Sequence, residues 1–135
     1  MISKVHANTL LNATVGNVGI TKYTAVYLGL CSSEPNHDTG AVASEPTAAS
    51  YERKNVTGMF AMASGGIVKN IQEIQFKTAR EAFGTMNYWF LSNGSSGAAM
   101  IWGTINDGAG VDIGAETVPV FYENELRASI DVALA

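Results

Sequence analysis

Apolar residues along this chain fall in short runs separated by turn residues, a pattern typical of β-strands rather than of helices. In the middle of the sequence, Tyr88–Leu91 and Ala98–Trp102 are apolar runs on either side of Asn93–Gly97. Asparagine and glycine favour the backbone conformations of turns, and aromatic or β-branched runs suit a pleated surface. The pattern therefore predicts a β-hairpin whose strands are apolar on both faces, with Trp89 and Trp102 in the core.

Other runs predict further strands, several of which alternate apolar and polar residues. They are a central strand in Thr24–Leu30, an edge strand in Tyr51–Val56, a half-buried strand in Ile71–Phe76, a strand in Val118–Tyr122 and a C-terminal strand in Glu125–Leu134. Charged residues in Tyr51–Val56 discourage unwanted pairing at an edge, and Pro119 belongs at an edge or a strand start. No helical crossover separates the strands, so we expect a mainly β, antiparallel β-sandwich, jelly-roll-like, in a single domain over residues 1–135.

Two segments depart from the strand pattern. Ser3 is placed to cap a short helix over about residues 4–15, with Ala7, Leu10, Leu11 and Thr14 on one stripe and Gly16 at its end. Residues 32–50 are rich in turn formers and nearly free of large apolar side chains, which predicts a long loop outside the core. Loops of this length inside a compact domain are usually functional or contact something.

Met59–Ala63 is apolar but flanked by glycines, and methionine side chains fill irregular gaps or cover adaptable interfaces. For this segment we favour core filling over a partner contact.

Composition narrows the possible partners. Charged residues make up 15% of the chain and the net charge is −4, so a phosphate backbone is an unlikely electrostatic partner and we expect no nucleic acid binding. Cys31 is the single cysteine, which excludes an intrachain disulfide. We find neither a secretory signal pattern nor a membrane-spanning apolar run, so we expect synthesis in a cytoplasm and no membrane partner.

Candidate chemistry is sparse. His6 in the capping turn and His37 in the loop lack a second ligand at a metal-binding spacing. Glu34, Asp38 and Glu45 share the long loop, but their spacing does not match an EF-hand, and a solvated loop is the simpler interpretation. Cys31 at the end of an apolar strand is better explained as a small buried hydrophobe. These observations predict no enzymatic activity, no metal and no cofactor.

The order of short sequence blocks resembles a family of small tailed-bacteriophage virion proteins described as tail-fibre-like or head-decoration proteins. The blocks are Ala25–Leu30, Thr39-Gly40, Glu45-Pro46, Tyr51-Glu52-Arg53, Ile74-Gln75-Phe76, Phe83-Gly84-Thr85, Trp89-Phe90-Leu91, Gly97, Trp102-Gly103 and Gly114–Val118. One departure is Ser92, where the family commonly has an acidic residue.

The resemblance implies a non-enzymatic building block of the virion, made in the bacterial host. A capsid decoration or cement protein is the leading expectation, and a tail or tail-fibre component for host attachment is the alternative. We expect partners among the major capsid or tail proteins, and a homo-oligomer. The expected assembly contacts lie in the helix and the long loop: Leu10, Leu11, Pro35, Asn36, His37 and Pro46.

Overall fold

The computed structural model describes residues 1–19 and 22–129, which form short antiparallel strands and one helix. The helix is α1 (Lys4–Thr14), and a 3-10 turn covers Asn106–Gly108. The strands are β1 (Tyr27–Cys31), β2 (Lys54–Asn55), β3 (Ile67–Lys69), β4 (Ile74–Gln75), β5 (Gly84–Met86), β6 (Tyr88–Ser92), β7 (Ile101–Thr104), β8 (Val111–Ile113), β9 (Val120–Phe121) and β10 (Arg127–Ser129).

A four-stranded antiparallel sheet in the order β2-β1-β6-β7 organises the molecule. The predicted hairpin is confirmed as β6 and β7, which pair from Tyr88 with Thr104 to Leu91 with Ile101. Both tryptophans are buried as predicted, with 4% of Trp89 and 1% of Trp102 exposed. β1 is the predicted central strand and β2 is the predicted edge strand, shortened to two residues.

The sheet has an inner face and an outer face that are covered differently. The inner face presents Leu28, Leu30, Trp89 and Leu91 to the main core. Three two-stranded ribbons, β3 with β10, β4 with β9 and β5 with β8, add buried side chains to the same core. Those side chains include Ile74, Phe76, Met86, Ile113 and Leu126.

The mainly β, antiparallel fold with one helix is therefore confirmed. A jelly roll is not confirmed, because the described strands pair as one four-stranded sheet and three ribbons. The half-buried strand of Ile71–Phe76 and the Val118–Tyr122 strand are seen as the short partners β4 and β9. Of the C-terminal strand, β10 is present, and the part beyond Ser129 lies outside the described residues.

The Met59–Ala63 segment is partly buried and partly exposed. Met59 and Phe60 are partly buried and pack against the main core, in agreement with core filling. Met62, in contrast, is 93% exposed.

The outer face of the sheet carries a second, smaller core of Cys31, Phe90, Ala99 and Trp102. Residues 32–50 contain no helix or strand, as predicted, but the expectation that they stay outside the core is wrong. Pro35 and Gly40 are buried, and Val42 packs against the second core. Both backbone polar groups of Gly40 are satisfied within the chain. The Gly40 N–H donates to Asn36 O, and the Gly40 carbonyl accepts from the Ala99 N–H.

The N-terminal helix forms where predicted and is capped as predicted, since Ser3 Oγ accepts a hydrogen bond from the His6 N–H at 3.2 Å. Its buried side differs from the expected stripe. His6 is buried and hydrogen-bonded to the Tyr23 hydroxyl at 3.2 Å, whereas Leu10 is half-buried and Leu11 is 61% exposed. Thr14, also on the predicted stripe, is exposed.

Candidate assembly surfaces

Arg53 is the centre of a buried polar network on the outer face of the sheet. Its side chain is 3% exposed and forms a two-pronged ion pair with Glu45, with Nε–Oε1 and Nη2–Oε2 distances of 2.9 and 2.8 Å. Its guanidinium lies 4.7 Å from the centre of the Phe90 ring. Planar bidentate pairing and stacking on an aromatic ring are contacts that lysine would not reproduce.

The remaining donors of Arg53 reach the turn between β6 and β7. Nη1 donates to Ser92 Oγ at 2.9 Å, and Nη2 donates to Gly97 O at 2.8 Å. Ser92 occupies the position where the resembling family commonly has an acidic residue, and in this chain Glu45 supplies the carboxylate for Arg53. The network thereby connects the long loop, through Glu45, to the hairpin turn.

Tyr51, which is half-buried, and Cys31, which is fully buried, flank this network. The Tyr51 hydroxyl donates to Glu45 Oε1 at 2.8 Å and accepts from the Leu30 N–H at 3.1 Å. Burial raises the pKa of Tyr51, and burial raises the pKa of the Cys31 thiol to about 12. Because the thiolate is the nucleophilic form, Cys31 is a packing residue here, as its sequence context predicted.

The start of the long loop also holds the first turn of α1. Lys4 N–H donates to His37 O at 2.8 Å and Val5 N–H donates to Asp38 O at 3.3 Å, so loop carbonyls satisfy helix amides that otherwise lack partners. Lys4 Nζ lies 2.6 Å from Asp38 Oδ1 at the surface. The helix and the loop are therefore one continuous surface.

Trp102 connects that surface to the sheet. Its indole Nε1 donates to Glu34 Oε1 at 3.1 Å, and His37 Nε2 lies 3.1 Å from the same oxygen. The His37 ring meets the Trp102 ring edge-on, with centroids 5.6 Å apart. The hydrogen bond from Trp102, followed by the contact with His37, lowers the pKa of the Glu34 carboxyl.

A groove lies on the other side of the molecule, between β8 and β9. It holds about 580 Å³ and has Leu30, Trp89 and Leu126 among its buried lining residues. Its rim includes Val111, Val118 and Tyr122, which are 41%, 44% and 60% exposed. The described residues that line it include the carboxylates of Asp112 and Glu125 and no lysine or arginine. We call this feature the β8–β9 groove.

The six residues predicted as assembly contacts have different surroundings. Leu11, Asn36 and His37 are exposed, Leu10 and Pro46 are half-buried, and Pro35 is fully buried. Pro35 therefore offers no surface to a neighbouring chain. The Asn36 side chain is used within the loop, where its Oδ1 accepts from the Asp38 and Thr39 N–H groups.

Sequence reasoning missed the role of Arg53, whose charge was assigned to an exposed strand edge. The side chain points instead into the outer face of the sheet. Glu45 was interpreted as a solvated carboxylate of the long loop, and the blocks Glu45-Pro46 and Tyr51-Glu52-Arg53 were otherwise noted only for the resemblance. Because Glu52 and Lys54 flank Arg53 in the sequence, the spacing of eight residues between Glu45 and Arg53 did not by itself identify this pair among the local charges.

Within residues 1–19 and 22–129, no group of three or more His, Cys, Asp or Glu side chains is arranged to hold a metal ion. Among the same residues, no helix has the length and apolar character needed to cross a membrane.

Together, these features define a β-rich subunit with a tethered loop, an attached helix and a groove lined by apolar residues and two carboxylates. A family model described as "Podophage GP4 fiber I protein gp80" matches residues 1–127. Because that match covers nearly the whole chain, the chain belongs to this family and is a bacteriophage virion structural protein. The expected relationship to phage virion proteins is thereby confirmed. A search of the curated proteins gives no match.

Proposed function

We propose that this chain is a structural component of a tail fibre, in contact with other tail proteins and with further copies of itself. The observation that carries the proposal is the family match over residues 1–127, whose description names a fibre protein. That description gives no support to capsid decoration, which was the leading expectation from the sequence. The fibre was the stated alternative.

The surface of the subunit is suited to such a role. Five exposed apolar side chains, Met1, Val5, Leu11, Val15 and Val18, lie in the N-terminal region, each at least 59% exposed. Exposed apolar residues that cluster mark sites of protein association more often than isolated ones do. In this region the proposed contacts are Leu11 on the helix and Asn36 and His37 on the adjoining loop.

The chain acts without catalysis in this proposal, since its candidate reactive groups have structural partners. Cys31 is buried with a raised thiol pKa, His6 is bonded to Tyr23, and His37 lies against Glu34 and Trp102. Incubation of the purified protein with oligosaccharides from the host surface should leave their length unchanged. Shortened products that disappear with a His37→Ala variant would contradict this part of the proposal.

Location in the particle is the direct test of the fibre role. Gold-labelled antibodies against this chain, viewed on intact particles by electron microscopy, are expected to mark tail fibres. Antibodies against the major capsid protein provide the control for a capsid-wide pattern. Labels distributed over the capsid surface would refute the fibre role and favour decoration.

A further inference from the structure

The turn between β6 and β7 contains Asn93-Gly94, the one asparagine–glycine pair in this sequence. Asn93 is exposed, whereas Ser92 directly before it is fully buried. Each of the other nine asparagines is followed by a residue with a side chain. Because glycine has no Cβ, its backbone nitrogen can approach the preceding side-chain carbonyl with the least steric hindrance. Asn93 is therefore the asparagine of this chain that is best placed to cyclise with the next residue.

Hydrogen bonding in the turn leaves the reacting groups of this pair free. Gly94 is held through its carbonyl, which accepts from Ser92 Oγ at 2.8 Å and from Arg53 Nη1 at 3.4 Å. Among the described residues, neither the Gly94 N–H nor the Asn93 side chain has a hydrogen-bond partner. Five other asparagines have hydrogen-bonded side chains, namely Asn36, Asn55, Asn70, Asn87 and Asn106. The nucleophile and the carbonyl that it would attack are thus both uncommitted at Asn93.

The same turn belongs to the buried polar network of Arg53, Glu45, Ser92 and Gly97, which we call the Arg53 network. We propose that Asn93 is a self-modification site, at which the Gly94 nitrogen converts the asparagine into a carboxylate beside the Arg53 network and thereby loosens residues 32–50. This inference does not rest on the fibre role, because the reaction needs only water and the chain itself.

The reaction proceeds in two steps that need no oxidant or reductant. In the first step the Gly94 nitrogen loses its proton to water and bonds to Asn93 Cγ, while the bond from Cγ to Nδ2 breaks. The Nδ2 nitrogen takes up a proton and leaves as ammonia, and a five-membered succinimide remains. In the second step water adds to one of the two ring carbonyls. Addition at Cγ gives aspartate, and addition at the backbone carbonyl gives isoaspartate.

Both products place a negative charge where the network has none. Position 93 lies between Ser92 and Gly94, whose oxygens each accept from Arg53. A carboxylate there offers the guanidinium a second anionic partner, in competition with Glu45. Isoaspartate also lengthens the main chain by one carbon, which displaces the Gly94 carbonyl from its two donors. Because Glu45 ties residues 32–50 to this network, conversion weakens the attachment of that loop.

The test follows the purified full chain during incubation at pH 8 and 37 °C, with two matched variants. Asn93→Gln keeps an exposed neutral amide but cannot form the five-membered ring. Gly94→Ala keeps Asn93 and adds a Cβ, which would lie 3.3 Å from Ser96 O in a backbone conformation that alanine can adopt. Circular dichroism and thermal unfolding check that both variants retain the fold.

Peptide mass spectrometry is expected to find the mass increase from amide to carboxylate at Asn93 before it is found at any other asparagine. Asn55, which precedes Val56, is the internal comparison. Position 93 in Asn93→Gln should stay unconverted, and Gly94→Ala should convert several-fold more slowly than the wild type. Methyl transfer by an isoaspartate methyltransferase provides an independent assay of the isoaspartate product. An unchanged Asn93, or conversion of Asn55 at an equal rate, would overturn the proposal.

Hydrogen exchange tests the effect of conversion on the loop. Ion-exchange chromatography separates converted from unconverted chains, because conversion adds one negative charge. In the converted protein the amides of Ser32, Asn36 and Gly40 should lose protection while those of β6 retain it. Asn93→Gln incubated for the same time should show no loss. Undiminished loop protection in the converted protein would overturn the coupling between position 93 and the Arg53 network.

Discussion

The two faces of the central sheet are closed by different physical means. The inner face is covered by three β-ribbons through apolar contacts among Leu28, Leu30, Trp89 and their neighbours. The outer face is covered by an irregular loop, residues 32–50, held through the buried Arg53–Glu45 pair. Apolar packing tolerates many arrangements of similar volume, whereas a buried ion pair requires one geometry. This loop is therefore fixed by specific polar contacts rather than by the burial of large side chains.

The same packing arrangement nevertheless occurs on both faces: an aromatic ring of β6 lies over a glycine of the adjacent strand. On the inner face Trp89 pairs with Gly103, where an added Cβ would sit 2.7 Å from Trp89 Cζ2. On the outer face Phe90 pairs with Gly29, where an added Cβ would overlap the Phe90 ring. The glycines provide the space in which each ring covers the sheet.

Removal of Trp89, the largest side chain of the inner face, tests whether apolar packing holds the ribbons on the sheet. Trp89→Ala should lower the free energy of unfolding by about 4 kcal/mol, because it leaves a cavity beneath the ribbons. Urea unfolding followed by circular dichroism measures the change, with Met62→Ala as an exposed apolar control. Wild-type stability of the Trp89 variant would show that its ring lies outside the core.

Removal of the buried guanidinium of Arg53 tests whether the ion pair stabilises the outer face. Arg53→Met should lower the free energy of unfolding by about 3 kcal/mol, because it leaves the Glu45 carboxylate unpaired near the second core. Arg80→Met is the matched control, since its pair with Glu116 is at the surface and contributes about 0.5 kcal/mol.

The double variant Arg53→Met with Glu45→Met sharpens this result. Replacing both partners of a buried pair removes the unpaired charge, so it should recover part of the stability that Arg53→Met loses. Equal destabilisation by Arg53→Met and Arg80→Met would show that the Arg53–Glu45 pair contributes no more stability than a surface ion pair.

A methyl group added at Gly29, the glycine beneath the Phe90 ring, should have a smaller effect on the free energy of unfolding. Gly29→Ala should destabilise the protein by about 2 kcal/mol, because the Phe90 ring must move from its place under Arg53. Gly114→Ala is the control, since a Cβ there meets open space. Thermal unfolding compares the two, and an equal change in both would argue against close packing at Phe90.

The smallest expected effect concerns the attachment of α1 to this surface. Burial lowers the pKa of His6, so between that pKa and about 6.5 the unfolded chain binds more protons than the folded chain. Stability from this group is therefore present above pH 6.5 and declines as the pH falls. The protection factors of the α1 amides, which correct for the intrinsic pH dependence of exchange, should fall more between pH 7.5 and 5.5 in the wild type than in His6→Gln. An identical response of both proteins would contradict the assignment.

Much of the inner face of the sheet was predictable from the sequence, because its strands appear there as apolar runs or as alternating apolar and polar residues. Tyr88–Leu91 and Ala98–Trp102 combine strand-forming residues with a turn between them, and alternation placed Ile74 and Phe76 on one face. Short-range chemistry also located Ser3 as the cap of α1. These features depend on residues that are near one another in sequence.

The outer half was not predictable because its contacts join residues that are distant in sequence. Arg53 bonds to Glu45 but also to Ser92 and Gly97, and nothing in a strand-edge pattern indicates those partners. Within α1, His6 is the buried residue and its ring bonds to Tyr23, a partner that the apolar stripe of the helix did not indicate. The β8–β9 groove arises where two short strands lie apart, which alternation cannot show.

Hydrogen exchange of the loop amides tests the central claim, that the outer face is closed by a loop held through Arg53. Ser32, Asn36 and Gly40 donate backbone hydrogen bonds within the loop, at 3.1, 2.9 and 2.7 Å. In the wild type their amides should be protected to an extent comparable with the β6 amides, and in Arg53→Met they should lose protection while β6 retains it. Loop amides that exchange in the wild type at the rate of an unfolded chain would contradict the account.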